Sequence, residues 1–156
     1  MEKKEYGKLY KDTTLQSKNW RLTLWTAPTT YLNGRELQTW LMILRRLDWT
    51  MFEDGSFTIS NAELQFELNV SESTARRMLE ELRLIGFINV NYAKIMGSRI
   101  SANYQSLNNL CAIIQKNPGI GPYLRQVMGK CGHIDHIKCR EITEAKNLMK
   151  KKKNIT

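Results

Sequence analysis

No run of 18 apolar residues that could span a bilayer occurs in the chain, and the opening MEKKEYGKLYK is charged where a secretory signal would be apolar. The expectation is a soluble, cytoplasmic protein with no membrane partner. There are only three cysteines, an odd number, with Cys111 well separated from Cys131 and Cys139. That argues against a disulfide framework and fits thiols kept reduced. A phosphate-cradling loop is missing too: NPGIGP lacks the following Lys and Ser or Thr, and its prolines suit a linker. No nucleophile stands with a companion base, so an enzyme is not expected.

What is present is enough apolar material for one compact domain with tails. The 156 residues are 42% hydrophobic and include four tryptophans. The formal charge is +9, an excess that favours a polyanionic partner such as nucleic acid or an anionic membrane surface. Its distribution is uneven. Residues 1–35 hold seven basic and three acidic side chains, residues 36–106 seven and nine, and residues 107–156 ten and three. Nonspecific attraction must therefore come mainly from the two ends.

Residues 1–19 are polar and expected to be loosely ordered, after which Trp20, Leu22 and Leu24 alternate as in a short strand. Pro28 and Asn33-Gly34 punctuate the chain before a first helix, from Glu36 to about Trp49. There Leu37, Trp40, Leu41, Leu44 and Leu47 fall at helical spacing and Met42 and Ile43 widen the stripe. Asp54-Gly55 reads as a turn, and Phe57 and Ile59 as a short strand. Asn61 is a candidate cap for a second helix containing Leu64 and Leu68. Ser71 is the candidate cap of a third, whose Ala75, Met78, Leu79, Leu82 and Ile85 form one helical stripe. Gly86 stands where a left-handed C-terminal residue belongs. FINVNY and RISANY then read as two strands around a turn centred on Gly97. Beyond them SLNNLCAIIQ reads as a helix, followed by one or two more with a basic end.

That order makes the predicted fold mostly α with a small β-ribbon, a winged helix-turn-helix with extra C-terminal helices. The expected organisation is the N-terminal segment 1–19, a winged-helix DNA-binding domain 20–105, C-terminal helices 106–149 for pairing two copies or binding a partner, and a basic tail 150–156.

In a helix-turn-helix the N-terminal residues of the second helix reach base edges in the major groove, and its backbone N–H groups face phosphate. The third helix offers Glu72, Ser73, Thr74, Arg76, Arg77, Glu80 and Arg83 opposite its apolar stripe, with Ser71 at its start. Arg76 or Arg77 suits a two-pronged contact with guanine O6 and N7, and Ser73 and Thr74 suit bases or phosphates. Lys94 and Arg99, around Gly97, are placed to touch a phosphate or a minor groove. Further phosphate contacts are expected from Lys3, Lys4, Lys8 and Lys11 at one end and from Lys138, Arg140, Lys146 and Lys150 to Lys153 at the other. The alternatives are a merely solvated face with i, i+4 pairs and, for the C-terminal run, a solubilising tail.

CGHIDHIKC gathers four zinc-ligating residue types, Cys131, His133, His136 and Cys139. The spacing is not that of a common finger, whose halves stand about a dozen residues apart, so no cofactor is expected and zinc is the minor alternative. Nor does HIDH match the His-hydrophobic-His motif of rolling-circle nicking enzymes. Two intervening residues would turn the His side chains to opposite faces of a strand.

Two groups of residues carry a family resemblance. EYGKLYK and KIMGSRISANYQSL resemble the ends of the small plasmid replication proteins of Firmicutes often called RepL. YLNGRELQTWLMILRRLDW, leading into FTIS, is similar to the first helix of the origin-binding domain of phage replication proteins of the lambda O kind. These pieces lie between residues 4 and 107; the tail from Cys111 onward matches neither pattern. The resemblance implies origin recognition on double-stranded DNA and recruitment of host replication proteins. Alternatives open at this point are a transcriptional regulator using the same surface and a winged-helix protein-interaction module, which the acidic balance of residues 36–106 keeps open.

Overall fold

The structure, a computed structural model, describes residues 28–50, 56–93 and 97–155. The expected strand at Trp20–Leu24, the segment 1–19, the Asp54-Gly55 turn and Lys94 lie outside these residues, as do Lys3, Lys4, Lys8 and Lys11. Within them the chain is mostly helical, with six α-helices and one small three-stranded antiparallel sheet. None of these helices is long and apolar enough to cross a membrane.

A short 3-10 turn, Pro28–Tyr31, leads into α1, Gly34–Thr50. Its start is fixed by a reciprocal pair: Glu36 N–H donates to Asn33 Oδ1 at 3.1 Å, and Asn33 N–H donates to Glu36 Oε1 at 3.2 Å. Trp40, Met42, Ile43, Leu44 and Leu47 are buried, whereas Leu37 and Leu41 are only half-buried. The core face of α1 is thus rotated towards Met42 and Ile43.

Strand β1 (Ser56–Ile59) buries Phe57 and Ile59 on alternate positions. Helix α2, Asn61–Leu68, is capped by Ser60, one residue before the expected Asn61. Ser60 is extended (φ −73°, ψ 160°) and accepts from Glu63 N–H at 3.1 Å, while Glu63 accepts from Ser60 N–H at 3.3 Å. The S-x-x-E pair satisfies two otherwise orphaned donors, which an Asn61 cap without that return bond would not. Asn69 ends the helix with a left-handed φ of 55°. Helix α3, Glu72–Leu84, starts at Ser71, whose Oγ accepts from Thr74 N–H at 3.4 Å. Its stripe of Ala75, Met78, Leu79 and Leu82, continued by Ile85, is buried against α1 and α2.

Strands β2 (Ile88–Ala93) and β3 (Gly97–Ala102) pair antiparallel, and β1 joins the outer side of β3 to give the order β1-β3-β2. The sequence indicated a ribbon and a separate short strand; the register Phe57 opposite Ile100 and Ile59 opposite Ser98 makes them one sheet. Gly97 is not the centre of the turn but the first residue of β3, opposite Ala93. Its φ is +83°, and a Cβ there would lie 2.2 Å from the carbonyl oxygen of Ile59, so only glycine lets β1 close onto β3.

After the sheet come α4 (Tyr104–Lys116), α5 (Gly121–Met128), a 3-10 turn (Ile134–His136) and α6 (Cys139–Ile155). These elements do not form a separate core. Leu107, Leu110, Ile120, Leu124, Ile134 and Ala145 are buried in the same cluster as Trp40 and Phe87. Two polar ties reinforce the junction. Ile134 N–H donates to the carbonyl of Ile85 at 2.9 Å. Arg125 of α5 forms a forked ion pair with the fully buried Glu36 of α1, at 2.5 Å and 2.7 Å. The Lys150–Lys152 run, read from sequence as a tail, continues α6.

Candidate nucleic-acid interface

The apolar stripe of α3 dictates what is left outside. With Ala75, Met78, Leu79 and Leu82 inward, Glu72, Ser73, Arg76, Arg77 and Arg83 are exposed, and Thr74 and Glu80 half-buried. This is the face the sequence indicated, but its residues differ in what they are free to do. Ser71 is engaged as the cap and also donates from Oγ to Thr74 Oγ1 at 3.0 Å. Arg76 lies 3.7 Å from Glu72, an exposed i, i+4 pair that is weak and easily exchanged. Arg77 has no ion-pair partner among the described residues. Arg83 is held: its Nε donates to both oxygens of Glu80, at 3.0 Å and 2.9 Å, and Nη2 donates to Oε1.

Glu80 also accepts from the hydroxyl of Tyr92 at 2.9 Å, which links α3 to β2. The Arg83 contact, with help from Tyr92, holds the Glu80 carboxyl below its ordinary range, and the same carboxylate holds Arg83 above its own. Burial first, then the Glu80 hydrogen bond, push the Tyr92 phenol up to about 12. Arg76, Arg77, Glu80 and Tyr92 together line one shallow groove. Tyr92 was missed from sequence, although strand alternation pointed to it: Ile88, Val90 and Tyr92 share the face that meets α3.

Of the two wing residues, Arg99 does not join this groove. Lys94 lies outside the described residues. Arg99 is exposed, opposite Asn91 on one side and Thr58 on the other, and all three are exposed. Its neighbours in sequence, Ser98 and Ile100, are buried, so the period of two sends Arg99 to the sheet face away from α3. The basic residues of the C-terminal region, Lys138, Arg140, Lys146, Lys150, Lys151 and Lys152, are exposed. Lys152 lies 5.9 Å above the ring of Tyr123.

The Cys and His residues of CGHIDHIKC lie on and beside the 3-10 turn Ile134–His136. Cys131, His136 and Cys139 are exposed, and the two imidazole centroids lie 5.6 Å apart. His133 Nδ1 accepts from Asp135 N–H at 3.0 Å, capping the 3-10 turn. The same ring packs on Gly86, where a Cβ would stand 2.4 Å from His133 Cε1. Among the described residues, no group of three or more His, Cys, Asp or Glu side chains could hold a metal ion. Cys111 is buried in α4, where burial pushes its thiol up to about 12. Comparison of the chain with protein-family models, curated proteins and solved structures gives no match.

Proposed function

We propose that the protein binds double-stranded DNA sequence-specifically through a winged helix-turn-helix, with α3 in the major groove and the β2–β3 hairpin as the wing. The observation that carries this reading is the disposition of α3. A fully buried stripe fixes the helix to the core by one side, and Arg76 and Arg77 project from the other, next to a β-hairpin. The element order α1-β1-α2-α3-β2-β3 and the sheet order β1-β3-β2 support the reading, because they set the β2–β3 hairpin beside α3. Arg77 is the leading candidate for a guanine contact, because no acidic neighbour has to be displaced first. Arg76 follows once it leaves Glu72, and Ser73 and Thr74 lie towards the helix N-terminus where backbone and base edges meet.

The biological setting we propose is replication initiation on a plasmid or phage, on the strength of the resemblance of residues 5–11, 31–49 and 94–107 to such proteins. Transcriptional regulation would use the same surface. A protein-docking role is favoured by one observation, that Glu72 and Glu80 pair with two of the three arginines of α3. Selection of bound fragments from the genome or element that encodes the chain separates these readings. Enrichment of repeats within an origin is the expected result. Enrichment across a promoter would move the reading to regulation, and no enrichment at any salt would leave protein docking.

A further inference from the structure

An exposed arginine on a helix normally samples many rotamers, and ordering it on a target opposes binding. Arg83 is an exception. Two of its five N–H donors, on Nε and Nη2, are committed to Glu80, and Glu80 is in turn anchored by Tyr92 from the neighbouring strand. The chain Arg83–Glu80–Tyr92 therefore spans two elements, and the plane of the guanidinium is set by both. Three N–H hydrogens remain with no partner among the described residues, and one on Nη1 with the second on Nη2 forms the outer edge. That edge is a pair of parallel donors.

The carboxylate itself has little left to offer. Oε1 accepts from Nε and Nη2, and Oε2 accepts from Nε and the Tyr92 hydroxyl, so the lone pairs are occupied. The outer edge of Arg83 fits either of two acceptor pairs on a duplex, the O6 and N7 of guanine or two phosphate oxygens. Charge decides between them. Phosphate contact derives its strength from net positive charge and counterion release, which Glu80 cancels at this position. A base contact derives its discrimination from donor geometry, which Glu80 preserves.

We propose that Arg83 is a pre-oriented reader of a guanine edge, and that Glu80 and Tyr92 are positioning residues that hold it in the reading geometry. This rests on the duplex-binding reading above. It makes Glu80, an acidic residue on a DNA-facing helix, a specificity determinant acting through its neighbour.

Binding-site selection from a randomised duplex pool, with the full-length chain and the Arg83→Lys, Glu80→Ala and Tyr92→Phe variants, tests it. Each selected site is then retitrated against its single-base variants and an unrelated duplex. Wild type is expected to prefer guanine at one position by roughly 5- to 150-fold, the discrimination of one two-pronged contact. Arg83→Lys should abolish that preference alone. Tyr92→Phe, which keeps the ring, and Glu80→Ala should each reduce it several-fold at the same position. Affinity for the unrelated duplex should rise for Glu80→Ala, because a negative charge has gone. A merely structural role for Glu80 and Tyr92 would weaken all sequences together, and that result would overturn the proposal. So would Glu80→Ala and Tyr92→Phe preferences identical to wild type, or an Arg83→Lys loss shared by all sequences, which marks a phosphate contact. Either can occur while Arg77-dependent selection survives, in which case the duplex-binding reading stands. Wild type binding no duplex overturns both.

Discussion

Replacing Arg125 by alanine should cost about 3–5 kcal/mol of folding stability, the range for breaking one side of a buried ion pair. Glu36 is fully buried and Arg125 is 13% exposed, so the carboxylate left behind cannot recover its hydration. The Asn33 N–H, at 3.2 Å, would still donate to it. Arg125 also donates to the backbone carbonyls of Tyr31, Gly129 and Lys130, each at 3.2 Å, and stacks 5.2 Å from the Tyr31 ring centroid. Burial opposes the charge on Arg125, but the Glu36 hydrogen bonds and charge outweigh it and hold the guanidinium above its ordinary pKa. With a urea dependence of about 2 kcal/mol per molar, the midpoint should fall by about 2 M, read by circular dichroism. The double variant Glu36→Met, Arg125→Met leaves no unpaired charge and should recover most of that loss. An Arg125→Ala variant within about 1 kcal/mol of wild type, or a double variant no better than either single one, would refute the reasoning.

Three further outcomes follow from other parts of the core. Gly97→Ala should destabilise by about 2 kcal/mol or more, because φ is +83° and the new Cβ meets the Ile59 carbonyl; urea denaturation measures it. Tyr31→Phe should stabilise by up to about 1 kcal/mol in the same assay, since the buried Tyr31 hydroxyl has no hydrogen-bond partner among the described residues. Glu63, Glu80 and Glu141 are held below the ordinary carboxylate value of 4.5, by Ser60, Arg83 and Lys138 respectively as the leading contacts. A carboxylate with a depressed folded-state pKa contributes stability that is complete above 4.5 and disappears as pH falls through the folded-state value. The urea midpoint should therefore decline below pH 4.5, and less steeply in Glu80→Gln.

The helices and the sheet strands were legible because their apolar periodicity is strong. Ala75, Met78, Leu79, Leu82 and Ile85 can share a face only on a helix, and Phe57 and Ile59 only on a strand. The junctions were less so. Ser60 and Asn61 are both good caps, and the choice turned on Glu63 reaching back to Ser60, a contact visible only as the S-x-x-E spacing. Gly97 has the composition of a turn residue, but it serves a close approach to Ile59, which is 38 positions away in sequence and leaves no local mark. In the site, exposure of Arg76 and Arg77 followed from the stripe. The difference between Arg77 and Arg83 did not: several i, i+3 and i, i+4 carboxylate pairings were open on α3, and the one formed, Glu80 with Arg83, is anchored by Tyr92 from β2. The Cys and His cluster shows the converse: the spacing suggests ligands, but His133 is taken up by local structure, its Nδ1 capping the 3-10 turn and its ring packing on Gly86.

The claim on which the functional account rests is that the exposed arginines of α3 meet a duplex. The most direct measurement is the affinity of the Arg76→Ala, Arg77→Ala double variant for a selected duplex, beside wild type at matched salt concentrations. The account expects a loss of about 1–3 kcal/mol per arginine on the selected site, relaxed base preference there, and a retained circular dichroism spectrum. Unchanged affinity and unchanged base preference in that folded variant would contradict it and move the binding surface to the basic ends of the chain.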